Sequence, residues 1–176
     1  MKGPDGFVQG YNAQIAVEPV LQLIVGQAVT QQGNDKKQLL PMLAKVKEQS
    51  GQPPSAVLAD SGYMSEENLR QVAKLGVEAH VAVGRQQHQQ TVPPCPRGRI
   101  RKTATLLERM RRKLQTVAGR AIYARRKAVV EPVFGQIKQR QGFRVFLLRG
   151  IRKVRGEWAL VCMTHNLLKV HRACCT

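Results

Sequence analysis

Two carboxylates and one amine stand out by type and position. Asp60 closes the short apolar run "SAVLAD" (55–60), just before the turn "DSGY". The chain has only three Asp: Asp5 lies in a Gly/Pro turn and Asp35 suits a helix cap, so Asp60 is the one whose place suggests chemistry. Open α/β sheets hold their ligands where strands end, although an Asp also commonly begins a turn. Glu131 is the only acid between Arg109 and Gly156. On a helix it shares a face with Phe134, Gly135 and Lys138 through the i+3, i+4 and i+7 spacings. A carboxylate and an amine two turns apart can hold a metal and a phosphate side by side. The structural alternative for Glu131 is a salt bridge to Arg125 or Lys127.

These side chains need a scaffold. The 176 residues suit one domain, or a domain with a helical appendage. "GFVQGYNAQIAVE" (6–18) and "LQLIVGQAVT" (21–30) predict two strands joined at Pro19 and Val20 as a hairpin. Residues 34–50 predict a helix capped by Asp35, with Gln38 completing a capping box. Its apolar stripe is Leu39, Met42, Leu43 and Val46, and Pro41 makes the first turn irregular. "SAVLAD" reads as a strand buried on both faces. Ser65 caps the following helix, Glu66 and Glu67 fill its first turn, and Gly76 ends it. "VEAHVAV" (77–83) is a further strand, so strand, helix and strand form a parallel crossover. Residues 84–100 read as a Pro/Gly-rich loop. Helical patterns follow at about 103–117, 120–141 and 155–171, with Pro132 starting or kinking the second.

Charge divides the chain. Lys and Arg number 29 against 11 Asp and Glu, a net charge of +18. Residues 97–155 hold 19 of these cations and only two acids, Glu108 and Glu131, whereas residues 1–90 are close to neutral. Such a field favours polyanions, with nucleic acid as the expected partner. Few aromatic residues (5%) argue against a single-strand stacking platform. Cys95, Cys162, Cys174 and Cys175 lack framework spacing, and reduced thiols are expected. Cys162, His165, His171 and Cys174 offer metal-ligand types, but the five residues between the two pairs are far fewer than the roughly 12 of a zinc finger. His80, alone in a strand, reads as structural. No apolar stretch reaches the roughly 18 residues of a membrane span, and a cytoplasmic protein is expected.

Four blocks, "GYNAQIAV", "AVLADSGY", "RRKAVVEPVFGQIK" and "FLLRGIRKVRGEWALVCMTHNLLK", together resemble DDE transposases of bacterial insertion sequences, in family order and over nearly the whole chain. The resemblance implies an RNase H-like fold, shared with retroviral integrases. Here it would be a partial one: an α/β class with hairpin, helix and strand-helix-strand, followed by a basic helical C-terminal region. The expected division is 1–90 for the core with Asp60, 91–119 for a basic insertion and 120–176 for the Glu131 signature.

The implied chemistry is metal-dependent cleavage and joining of DNA by three carboxylates and two Mg²⁺ (or Mn²⁺) ions. Asp60 matches the second Asp, Glu131 the Glu and Lys138 the Lys that follows it, with Asp60 and Glu131 as metal ligands. Tyr123 matches the signature Tyr. Arg126 or Lys127 takes the basic position, since the gap from Arg126 to Glu131 is one residue longer than the family pattern. Arg125, Arg126, Lys127, Arg140, Arg144, Arg149, Arg152 and Lys153, with Tyr123, are the expected DNA contacts. The first Asp of the family lies upstream of "GYNAQ", and neither Asp5 nor Glu18 matches it. The expectation is therefore a C-terminal fragment of a transposase, inactive alone. Its expected partners are transposon-end DNA, the missing N-terminal part or a full-length transposase in trans, and a second copy as a homodimer, with no membrane. The rival reading is a non-catalytic DNA-binding regulator derived from a transposase.

Overall fold

The computed structural model describes residues 2–3, 6–7, 10–84 and 95–175. Asp5 and most of the loop expected at 84–100 lie outside them. The class is mixed α/β. In chain order the elements are β1 (Lys2–Gly3), β2 (Gly6–Phe7), β3 (Asn12–Val17), β4 (Ile24–Thr30), α1 (Leu39–Ser50), β5 (Ala56–Ala59), α2 (Glu66–Lys74), β6 (Glu78–Val81), α3 (Leu106–Gln115), α4 (Val117–Gly135) and α5 (Ile151–Cys174). Among the described residues no helix is long and apolar enough to cross a membrane.

The chain divides into two compact units. One comprises Met1–Asn34, Met42–Gln52 and Lys127–Thr176, the other Asp35–Pro41 and Pro53–Arg126. Helices α1 and α4 each contribute residues to both.

In the first unit, β3 and β4 pair antiparallel from Asn12↔Thr30 to Val17↔Ile24, with an irregularity at Ala16/Val17. The turn is longer than the expected Pro19–Val20 connection, because Glu18 organises six residues rather than two. Its carboxylate accepts the N–H groups of Val20, Leu21 and Leu23 at 2.7–3.0 Å. Burial opposes ionisation of Glu18, but these bonds outweigh it and lower its pKa. Gly26 sits under α1. A Cβ there would lie 2.9 Å from the Met42 sulfur and 3.2 Å from Val46, so any larger residue would have to push these side chains aside.

The core of this unit gathers Ile24, Val29, Val133, Ile137, Val154, Trp158 and Cys162. The buried face of α5 is Val154, Trp158, Cys162 and His165, and Leu160, Leu167 and Leu168 are exposed. The buried four follow the 4-4-3 spacing of one helix face.

Pro132 neither starts α4 nor ends it; it lies inside the helix. A proline has no N–H to give the carbonyl four residues back, here that of Ala128. Gln22, from the β3–β4 turn, supplies the missing donor through Nε2 at 3.2 Å. Gln22 holds φ at 58°. Its carbonyl contacts His165 Nε2 at 3.0 Å and its Oε1 accepts from Lys169 at 2.8 Å. Gln22→Ala removes both side-chain bonds and leaves the Ala128 carbonyl unserved. The expected cost is about 1–3 kcal/mol in a urea titration, and no measurable loss would mean solvent serves that carbonyl equally well.

In the second unit, β5 and β6 are parallel, Ala56↔Glu78 to Ala59↔Val81, with α2 between them in the chain. Ser65 caps α2 by accepting the Asn68 N–H, and Gly76 follows its end at φ 71°. Strand β5 is less buried than expected: only Ala59 is fully covered. Among the described residues the strands form separate two-stranded pairs, so β5 has one bonded neighbour. Leu69, Val72, Val77 and Val81 are buried here, as is His80. Helix α3 opens with a full Thr105–Glu108 capping box. It is tied to β6 by Lys113, whose Nζ lies 2.7 Å from Glu78 and donates to the Ala79 carbonyl at 2.8 Å. A 3₁₀ turn at Asp35–Lys37 precedes α1, whose stripe is buried as the periodicity requires, at Leu39 in this unit and at Met42, Leu43 and Val46 in the first.

Candidate functional site

Asp60 follows β5 and caps a 3₁₀ turn, Ser61–Tyr63. Its Oδ1 accepts the Gly62 N–H at 2.9 Å, and the residue is exposed. Asp60 is therefore a turn former. Its second oxygen has no hydrogen-bond partner among the described residues.

The turn is shared with a second acid. A Cβ on Gly62 would lie 3.0 Å from Asp60 Oδ1 and 3.2 Å from Asp35 Oδ2, so the two carboxylates flank one bare backbone position. Asn68, buried, bolts the two turns together by donating to the Lys36 carbonyl at 2.6 Å and the Tyr63 carbonyl at 2.8 Å. Burial, then the charges of Asp35 and Asp60, raise the Tyr63 pKa. Nothing local in the sequence places Asp35 beside Asp60; 25 residues separate them, and Asp35 reads only as a cap.

The same unit brings Tyr123 within the electrostatic reach of Asp60. Burial raises the Tyr123 phenol, Arg126 opposes this by charge and a hydrogen bond, and Asp60 adds to the rise. The Arg126 guanidinium lies 5.7 Å from the centre of the Tyr123 ring. Arg126 is half-buried, whereas Arg125 and Lys127 are exposed.

Glu131 and Lys138 belong to the other unit. Glu131 is exposed on α4 and forms no ion pair among the described residues, so the alternative of a salt bridge to Arg125 or Lys127 is not made. Gln136–Arg140 is a π-helical stretch, closed by Gln141 N–H to the Gln136 carbonyl at 3.1 Å. The α spacing that aligns Glu131 with Lys138 therefore holds only to Gly135. Lys138 lies 5.9 Å over the Phe134 ring, three residues past Gly135 and inside the π-helical stretch.

Lys127, Lys138, Arg140, Arg144, Arg149, Arg152 and Lys153 are all exposed. None pairs with an acid among the described residues; Arg144 bonds only to the Gln139 amide. Their charge is uncompensated locally and points to a polyanion. The four Cys and His positions of the helix do not converge. Cys162 is in the core with its thiol pushed up to about 12 by burial, and His165 is held by the Gln22 carbonyl. Among the described residues no group of three or more metal-capable side chains forms.

No curated protein and no solved structure matches the chain. A family model described as the transposase DDE domain matches residues 1–167, nearly the full length. The chain belongs to the transposase DDE domain family.

Proposed function

We propose that the chain is an RNase H-like transposase domain of insertion-sequence type, acting in DNA transposition by metal-dependent phosphodiester cleavage and strand transfer. The observation that carries this reading is the placement of Asp60 within electrostatic reach of Tyr123, whose ring carries the Arg126 guanidinium. Two motif blocks 63 residues apart in the chain are thereby brought to one place. Carboxylate oxygens on Asp60 and Glu131 are hard donors, suited to Mg²⁺ or Mn²⁺ completed by water and phosphate. The bare backbone of Gly62 beside Asp60 leaves room that a Cβ would take.

Asp60 and Glu131 would hold the metal. When bound, it supplies positive charge to the attacking and leaving oxygens of an in-line displacement. Lys138 orients a phosphate beside Glu131. Arg126, backed by the Tyr123 ring, and the exposed cations from Lys127 to Lys153 grip the DNA backbone. Only two of the three motif carboxylates are matched, so the chain by itself binds DNA and does not turn over. An intact transposase supplied in trans would complete it.

The test replaces Mg²⁺ with Fe²⁺ and adds ascorbate and peroxide, so that radicals cut the chain beside the metal. Cuts are expected near both 60 and 131, and Asp60→Asn suppresses both. Cutting at one segment alone, or at neither, would refute the shared site. A parallel nuclease assay is expected to show no turnover, and turnover abolished by Glu131→Ala would overturn the inactivity of the isolated chain.

A further inference from the structure

The segment between the π-helical stretch and α5, residues 141–150, is held at four points. Phe143 N–H donates to the Ile137 carbonyl at 3.1 Å. The rings of Phe143 and Phe146 turn inward, 5.3 Å apart and edge-on, and each lies about 6 Å from Trp158. The Glu157 carboxylate accepts Leu147 N–H at 2.8 Å through one oxygen and Leu148 N–H at 3.1 Å through the other. Gly150, at φ 86°, donates its N–H to the Tyr11 hydroxyl at 2.9 Å.

This anchoring has a consequence for the side chains that point outward. Val145, Leu147 and Leu148 remain 67%, 82% and 46% exposed. With its backbone fixed by Glu157 and its neighbour Phe146 already in the core, Leu147 has no route inward. Single exposed apolar residues are ordinary, but three within four positions on a pinned loop are not a by-product of folding. Arg144 and Arg149 stand directly on either side, and Arg152 and Lys153 follow. Apart from Glu157, which is occupied with the loop backbone, the segment from Arg140 to Lys169 contains no acid. An apolar tip between arginines complements a duplex: cations on the phosphates, and a side chain able to enter between base pairs.

We propose that Leu147 is a wedge that enters duplex DNA between two base pairs and unstacks them, with Arg144 and Arg149 on the flanking phosphates. Glu157 is the positioning residue that presents it. This rests on the DNA-binding reading above and adds to it where the duplex is deformed. Pyrimidine–purine steps, the easiest to kink, are the preferred entry points.

The probe is a duplex carrying 2-aminopurine beside a TA step, titrated with the full chain. Wild-type protein is expected to raise the emission several-fold as the base unstacks. Leu147 is 82% exposed, so Leu147→Ala should fold; it is expected to lose that rise while its Kd changes less than about fivefold, since phosphate contacts dominate affinity. Arg149→Ala is expected to weaken binding and lower the salt slope by about one, yet to give the wild-type rise at saturation. Saturated wild-type binding with no rise, or an undiminished rise with Leu147→Ala, overturns the wedge and leaves the DNA reading intact. Absence of binding at about 50 mM salt sinks both readings. A concentration-dependent dimer that Leu147→Asp dissolves would assign the patch to self-association instead.

Discussion

Trp158→Ala is expected to lower stability by about 3–5 kcal/mol. Trp158 is the only tryptophan in the chain. Its ring stacks on Phe134 at 6.4 Å with 18° between the planes, and Phe143 and Phe146 close around it. Its indole N–H donates to the Gln14 carbonyl of β3 at 3.3 Å, linking helix to hairpin. Alanine removes the aromatic contacts, leaves a cavity, and takes away one donor from the Gln14 carbonyl. A chain of this size has about 5–15 kcal/mol in total, so the variant should lose a large share of its stability. Urea titration followed by circular dichroism reads this without relying on the lost fluorophore. Trp158→Phe keeps most of the packing and removes only the N–H, for an expected cost of about 1–2 kcal/mol. An alanine variant within about 1 kcal/mol of wild type would mean that the aromatic cluster is not what holds this unit together.

Raising salt fourfold, from about 50 to about 200 mM, is expected to cost the chain roughly a thousandfold in DNA affinity. Seven exposed cations lie between Lys127 and Lys153, and none is neutralised by an acid among the described residues. If about six of them meet phosphates, log Kd against log salt has a slope near 5 in magnitude, from released counterions. Fluorescence anisotropy on a duplex gives the slope directly. Lys153→Ala should reduce it by about one and weaken all sequences alike, because a phosphate contact carries no base information. A slope near one would mean that these cations point to solvent and do not form a continuous footing.

Much of the scaffold was legible from the residues alone. The α1 stripe, the Ser65 cap, the Gly76 stop and the parallel strands around α2 all rest on local chemistry: hydrophobic period, a hydroxyl to accept an N–H, a residue free to take positive φ. Asp60 at the end of a short strand belongs to the same class, since the apolar run and the turn residues adjoin it. The basic second half was legible too, because charge needs no fold to be counted.

What escaped the local reading depends on partners far along the chain. Pro132 looks like a helix boundary until Gln22, 106 residues before Ala128, supplies the donor that proline lacks. The buried face of α5 is set by what the hairpin offers it: a carbonyl for Trp158, another for His165, and Ile24 backbone groups for Asn166. Leucines at 160, 167 and 168 have the same hydrophobicity as a core residue and still face outward. Asp35 reads as a cap from its neighbours and stands beside Asp60 only because Asn68 joins two turns. The sequence by itself determined element types, strand ends and the sign of the surface field, all of which follow from short-range dihedral preference and composition. Tertiary packing alone decided which groups meet, because a hydrogen bond or a carboxylate pair is set by where two distant backbones come to rest.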